Sequence, residues 1–238
     1  MIRHLATALT QAGIPLVLGC YEYSQYINTP LPFDVVKSPV LYPRLRSGFT
    51  PRKLLADLGL LVACAKAQRQ APRVLIHAHT LEGLSLALIL RRLYGGRVIY
   101  HCHNSLELEL ETYVAHALSR WLCRRAGALA DRHLARHADV AIAFDSEQAA
   151  FLQRCGVSFD SIECIPPGLD PTEMEPNLDR PTSRDLNEAV VLYSGNPDGY
   201  QNLSLLFASF ALVLQARPKT RLCIATSTEP QAFANPEA

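Results

Sequence analysis

The sequence contains no C-x-x-C pair: its seven cysteines stand at 20, 64, 102, 123, 155, 164 and 223. An odd number so scattered argues against a disulfide framework or a four-thiolate zinc knot, and reads as reduced thiols filling the core of a cytoplasmic protein. An excess of charge of one sign is also lacking, since Lys plus Arg is 23 and Asp plus Glu is 22, for a formal charge of +1. A chain that neutralises many phosphates carries a clear basic surplus, so no nucleic-acid partner is expected. No window offers 18 uninterrupted apolar residues, which removes a membrane-spanning helix from the expectations. VLGC at 17–20 resembles a lipoprotein processing box, but Thr7, Thr10, Gln11 and Pro15 interrupt the apolar stretch before it. HLATALTQAGIPLVLG divides better into a short helix ending at Gly13 and a strand from Pro15 to Gly19.

What is present is enough for a buried core: 238 residues, 49% of them hydrophobic. From residue 51 the pattern is regular. PRKLLADLGLLVACAKAQRQ reads as a helix with proline at its start, RVLIHA as a strand, EGLSLALILRRL as a helix closed by Gly95 and Gly96, and RVIYHC as a strand. A helical region follows from about Leu106 to His137, with a break expected near Gly127. Then come ADVAIAF as a strand, SEQAAFLQRCG as a helix with Ser146 as its cap, and SIECIPPG as a short strand. Strands dense in Val and Ile, connected by helices, predict an α/β fold: a Rossmann-like parallel sheet with helices on both faces.

The stretch PPGLDPTEMEPNLDRPTSRDLNE has no apolar period and is rich in proline and acid, so 166–188 reads as a linker between a first domain, 1–165, and a second, 189–238. In the second, AVVLYSG, NLSLLFASFALVLQ and TRLCIAT repeat strand, helix and strand. That is the opening βαβ portion of a second Rossmann-like domain, too small to cover a sheet by itself. The chain also opens on a helix where such folds usually open on a strand. Both ends are expected to be incomplete.

Twice the chain runs a strand into a pair of histidines and then into a helix: RVLIHAHTLEG with His77 and His79, and RVIYHCHNS with His101 and His103. Residues i and i+2 of a strand share a face, so each pair points one way and Cys102 the other. Parallel sheets gather their chemistry outside the carboxyl ends of the strands, where both pairs lie. Three readings stand. Four imidazoles could bind zinc, with Glu82 or Glu107 as the acidic partner such a hydrolase needs, though no H-E-x-x-H is present. They could be structural histidines satisfied at strand ends. Or they line a polar cleft, a neutral ring positioning a hydroxyl and a charged one stabilising negative charge on a phosphate leaving group. Glu107, Glu109 and Glu111 read as a solvated helix start.

LSRWLCRRAGALADRHLARHAD sets Arg120, Arg124, Arg125, Arg132 and Arg136 among Leu118, Trp121, Leu122, Leu129 and Leu134 at helical spacing. It reads either as a helix packed on the sheet with a solvated arginine face, or as a peripheral contact with an anionic membrane through 118–137, at the inner face of the membrane.

RVLIHAHTLEG, RVIYHCHN, ADVAIAFDSEQAAFLQRCGV, IECIPPGLDP and VVLYSGNPDGYQNLSLLFASF occur in the order and at roughly the spacing found in retaining glycosyltransferases of the family 4, two-Rossmann-domain (GT-B) type. The resemblance covers nearly the whole chain. It implies an N-terminal domain that takes the acceptor, a C-terminal domain that takes a nucleotide-sugar donor, and transfer with retention in polysaccharide or glycolipid synthesis. It implies no resident cofactor, the nucleotide-sugar being a co-substrate. The family's sugar- and phosphate-contacting histidine falls on His103, the catalytic candidate, followed by Asn104. His79, His101 and Glu107 join Asn104 on the acceptor or cleft side, and Gly168 and Asp170 match the segment entering the linker. Gly195 matches the glycine that leaves room for donor phosphates. Where the family carries a cation after it and another about six residues later, this chain has Asn196 and Gln201.

The family's E-x7-E segment, which binds the donor sugar and ribose, lies beyond residue 238, and its first strand lies ahead of Met1. The resemblance therefore implies a fragment that is inactive alone, from an active parent acting on a saccharide, small-molecule or lipid-linked acceptor. A non-catalytic remnant or split-enzyme module that binds a glycan or partner, and a zinc-dependent hydrolase, are the alternatives.

Overall fold

The computed structural model describes residues 2–22, 31–41, 51–71, 73–114, 116–168, 189–195 and 201–226. The chain divides into two compact units, Met1–Glu173 and Met174–Ala238.

The first unit opens with α1 (Ile2–Gln11), β1 (Val17–Glu22), β2 (Asp34–Leu41) and α2 (Pro51–Gln70). β1 and β2 pair in parallel, Val17 opposite Asp34, as a two-stranded sheet. Ser38 Oγ, buried in β2, donates to the Ala56 carbonyl 3.1 Å away and ties the strand to α2. β2 has no counterpart in the sequence reading. Lys37, Ser38 and Pro39 break its apolar run, so its strand character comes from pairing with β1.

The centre of the unit is a four-stranded parallel sheet of β3 (Leu75–His79), β4 (Arg97–His101), β5 (Val140–Ala143) and β6 (Ile162–Cys164), in that order. α3 (Thr80–Tyr94) connects β3 to β4, α4 (Leu106–Leu110) and α5 (Ala117–Ala135) connect β4 to β5, and α6 (Ser146–Arg154) connects β5 to β6. The period of two sorts the side chains. Ala78, Val98, Tyr100, Cys102, Ala141 and Ala143 share one face and pack with Leu81, Leu84 and Leu152 as the core. The expected α/β class, a Rossmann-like parallel sheet flanked by helices on both faces, is what the chain forms.

Two details fix how the strands meet. Gly96 has φ 103°, and a Cβ there would lie 2.2 Å from the Val74 carbonyl oxygen, so only glycine lets β4 enter beside β3. At the far edge of the same crossover, Asp139 accepts from the Val98 amide at 2.7 Å and pairs with Arg91 at 3.2 Å. One carboxylate thus joins β4, the approach to β5 and the end of α3.

The helical region after β4 breaks elsewhere than expected. α4 ends in a 3-10 turn at Glu111–Tyr113 and α5 begins at Ala117, whereas Gly127 lies buried inside an unbroken α5. There a Cβ would meet the Leu106 carbonyl oxygen at 2.6 Å and the Glu107 Cα at 2.7 Å. The glycine marks where two backbones cross, not a helix end. Nor is Ser146 the cap of α6. Asp145 holds that place, accepting from the Gln148 amide at 2.8 Å, while the Gln148 side chain accepts from the Phe144 amide at 2.7 Å.

The second unit contains β7 (Val190–Ser194), α7 (Leu203–Ala216) and β8 (Arg221–Ala225). β7 and β8 pair in parallel and α7 joins them, which is a βαβ unit. Asn202 occupies the N-cap position of α7 in a left-handed conformation (φ 49°, ψ 50°), which asparagine tolerates, and its side chain makes no capping bond.

Candidate functional site

The site follows from strand register. β3 and β4 pair so that His77 lies opposite Ile99 and His79 opposite His101. The two histidine pairs are therefore staggered by one step of the pleat, and all four rings fall on the sheet face that the core leaves open, at the carboxyl ends of the strands. His77 stacks on His79 with ring centroids 4.6 Å apart, His79 lies 4.9 Å from His101, and His101 lies 5.0 Å from His103. Phe144, the residue after β5, closes the group: its ring is 5.0 Å from His101 and stands edge-on to His103 at 5.3 Å. The α6 capping interactions hold the Phe144 backbone from outside the group.

Depth differs along the column. His101 is 6% exposed, and neither of its ring nitrogens has a hydrogen-bond partner among the described residues; the same holds for His77 Nε2. His79 and His103 lie nearer the rim, and Nδ1 of the one is 2.9 Å from Nε2 of the other. Burial, and then the neighbouring imidazoles, push the ring of His77 down to about 4, that of His79 to about 3 and that of His103 to about 4; burial lowers His101 as well. At neutral pH the whole column is uncharged. It offers N–H donors and bare nitrogen acceptors rather than imidazolium charge, so positioning of a hydroxyl is the chemistry available in the resting state.

His79, His77 and His101 also bring ligand nitrogens within 4.8 Å of one another. Zinc needs lone pairs converging on one point. Here the planes of His77 and His79 are 16° apart, and those of His77 and His101 14°, so their in-plane lone pairs run side by side. As arranged, the rings do not close a metal site.

The carboxylates considered as partners are engaged elsewhere. Glu82 pairs with Lys53 at 2.5 Å. Burial pushes its carboxyl up, but the Lys53 pair and the bonds from its own amide and the Thr80 hydroxyl outweigh this and hold it below the usual range. Thr80, directly after His79, has φ 63°, a strained conformation for a β-branched residue at the strand-to-helix corner. Glu107 pairs with Arg124 at 3.1 Å. Asn104 donates to Glu109, which also accepts from Tyr113 at 2.9 Å. The glutamates of α4 are thus paired and half-buried, not a solvated helix start.

Asp131, a residue the sequence reading did not single out, organises this segment. It is 2% exposed on α5 and accepts from the Glu107 amide at 3.0 Å, the Leu106 amide at 3.3 Å and the Ser105 hydroxyl at 3.1 Å. The two amides are donors a helix leaves unsatisfied at its first turn. Satisfying them sets the turn that carries His103 and Asn104. The available signal was the four-residue spacing of Gly127, Asp131 and Ala135, all buried on one side of α5.

In the second unit, Gly195 continues the β7 edge by donating to the Ala225 carbonyl at 3.0 Å, and Gln201 is exposed in the turn before α7. Asn196 and Asp170 lie outside the described residues, and Gly168 is exposed just after β6. No described helix is long and apolar enough to cross a membrane.

Among solved structures, the chain is similar to sucrose-phosphate synthase from Thermosynechococcus elongatus, with a TM-score of 0.70 and 19% identity over 97% of this chain and 57% of that one. It is similar also to Anabaena Alr3699/HepE in complex with UDP and glucose (TM-score 0.53, 17% identity, 82% of this chain and 47% of that one) and in complex with UDP-glucose (TM-score 0.53, 15% identity, 86% and 50%). The chain therefore spans about half the length of the solved relatives it matches. At such identities the likeness is one of fold. No curated protein sequence matches the chain. The family model described as Glycosyltransferase Family 4 matches residues 1–173, the whole of the first unit, and the chain belongs to that family.

Proposed function

We propose that the first unit is the acceptor-side domain of a sugar transferase, that 189–238 opens its donor-side domain, and that His103 is the residue that meets the reacting groups. The observation that carries this is the neutral His79–His103 pair, 2.9 Å apart at the carboxyl edge of a family 4 domain. In this reading the parent enzyme takes a nucleotide-sugar, and the HepE relative, solved with UDP-glucose, makes that compound the first donor to try. Gly195, Asn196 and Gln201 serve the donor phosphates, and Gly168 and Asp170 the turn into the second unit. His79 orients His103, and Asn104, held by Glu109, borders the acceptor.

Retention follows from attack on the face the leaving group vacates. The bond from the anomeric carbon to phosphate breaks, the bond to the acceptor oxygen forms on the same side, and the acceptor proton passes to a phosphate oxygen. No carboxylate base is needed, in keeping with a column whose neighbouring glutamates are committed to Lys53, Arg124 and Asn104. A neutral imidazole N–H at His103 supplies a fixed donor toward developing charge.

The chain spans about half its relatives' length, which favours for residues 1–238 alone the role of an acceptor-binding module with little turnover. The test measures UDP-glucose turnover over a panel of saccharide acceptors, by this chain and by a form extended to its relatives' length. Product of retained configuration from the extended form, with little from residues 1–238, is expected. Equal turnover by both would refute the module role, and product of inverted configuration would refute the mechanism.

A further inference from the structure

The outward face of α5 is the feature that the site leaves unused. Leucines and a tryptophan on a helix that covers a sheet should turn inward, yet Leu118 is 71% exposed, Trp121 55%, Leu122 53% and Leu129 67%. The inward side is taken instead by Gly127, Asp131 and Ala135. Positions 118, 122, 125, 129 and 132 follow one another at steps of four and three, so they form a single outward ridge in which leucine and arginine are interleaved.

Charge singles out the same helix. α5 carries Arg120, Arg124, Arg125 and Arg132 against one carboxylate, Asp131, which is buried and spent on backbone amides. The whole chain nets only +1, so the rest of it is net acidic and the basic charge is concentrated here. Beside the ridge, Glu107, Trp121, Arg124, Arg125 and Arg132 line a cavity of about 310 Å³, and the Arg125 guanidinium lies over the Trp121 ring at 5.4 Å. Arg124 in this recess is paired with Glu107, which leaves Arg125 and Arg132 as the cations facing an anionic headgroup, with the leucines beside them placed to meet the acyl boundary.

We infer that the outward ridge of α5 docks on an anionic lipid surface, with Leu118, Trp121, Leu122 and Leu129 entering the interface and Arg125 and Arg132 pairing with lipid phosphates. A polyanion such as RNA would use the arginines and leave four large apolar side chains in water. A second copy of the ridge, brought face to face in parallel, would set arginine against arginine; turned antiparallel, it would set Arg125 against Arg125 and bury Arg132 against Leu118. Only a surface that is both anionic and apolar satisfies both halves of the ridge.

Trp121 is the only tryptophan in the sequence, so its emission reports on this face alone. The chain is titrated with vesicles of phosphatidylcholine and with vesicles in which about one third is phosphatidylglycerol, at ~50 mM and ~500 mM salt. The expected result is a blue shift with the anionic vesicles only, quenching by brominated acyl chains, and reversal at high salt. R125Q/R132Q should lower the apparent partition coefficient ~10-fold or more. L118Q/L122Q/L129Q should abolish the quenching and melt like the parent chain, because all three side chains are already in water. Should the leucine variant not fold, brominated-lipid quenching of the parent chain and the arginine variant decide the matter. No shift, an equal shift with neutral vesicles, a blue-shifted dimer without lipid, or saturable RNA binding that the leucine variant retains would each overturn the proposal. Turnover is not read, so failure here leaves the transferase reading standing, and failure of that reading leaves this one.

Discussion

His79 Nδ1 and His103 Nε2 lie 2.9 Å apart with both rings neutral, so a single N–H spans the gap and the two tautomers are coupled. If His79 donates, His103 carries its own proton on Nδ1 and presents a donor; if His103 donates, its Nδ1 is bare. The donor role proposed for His103 requires the first arrangement. Nitrogen-15 spectra of the imidazoles should show His79 protonated at Nδ1, and the opposite assignment would make His103 an acceptor.

Changing His103 to alanine in a chain extended to its relatives' length should lower kcat/KM ~10²-fold, the order seen when a donor to developing charge is lost. Its melting temperature should move little, because a rim residue leaves few groups unsatisfied. His101 should behave in the opposite way. Both its nitrogens are buried without partners among the described residues, so His101→Phe should be neutral or stabilising in a thermal melt. Unfolding of the His103 variant with full activity in the survivors would return the column to a structural role.

Stability should fall in mild acid. The unfolded histidines take up a proton near 6.5, whereas folded His77 and His103 resist until about 4 and His79 until about 3. Between those values the unfolded state binds more protons, so the contribution is fully present above pH 6.5 and is lost progressively from there down to about 3. Melting curves from pH 7.5 to 4.5 should show the decline, with a shallower slope in His77→Gln. A melting temperature constant over that range would contradict the neutral column.

Gly127→Ala should cost ~1–3 kcal/mol, since its methyl group would strike the backbone of Leu106 and Glu107. Asp131→Ala should cost ~2–3 kcal/mol by stripping two amides and a hydroxyl of their acceptor. Denaturant titrations check both. Because the two residues act on the same segment, the double variant should lose less than the sum.

Purified protein should retain zinc on fewer than about one chain in ten, because side-by-side lone pairs do not build a tetrahedral site. Metal analysis before and after chelation tests this. One zinc per chain, lost in His79→Ala or His101→Ala, would overturn the reading of the column as metal-free.

Much of this was legible in local pattern. β3, β4, α2 and α3 announce themselves through a regular alternation of helical and Val/Ile-rich strand patterns, with Pro51 at one end and Gly95–Gly96 closing α3. The H-x-H spacing told which histidines share a face within each strand. That the two pairs form one column depends on inter-strand register, with His79 opposite His101, which only the folded sheet fixes. Phe144 and Asp131 were missed for the same kind of reason. An aromatic after a strand and an acid in an arginine-rich helix look solvated until a neighbour from another element arrives. The glutamates of α4 looked solvated because Arg124 and Asn104 approach them only through the turn that Asp131 builds.

The crossing at Gly127 has a mechanical side. Where two helices touch through side chains they can slide by changing rotamers, but here backbone meets backbone, and Asp131 pins the first amides of α4 to the same stretch of α5. For α4 to shift along α5, the bonds to Asp131 must break or the two backbones must part, so the turn that carries His103 keeps its place as long as α5 keeps its own.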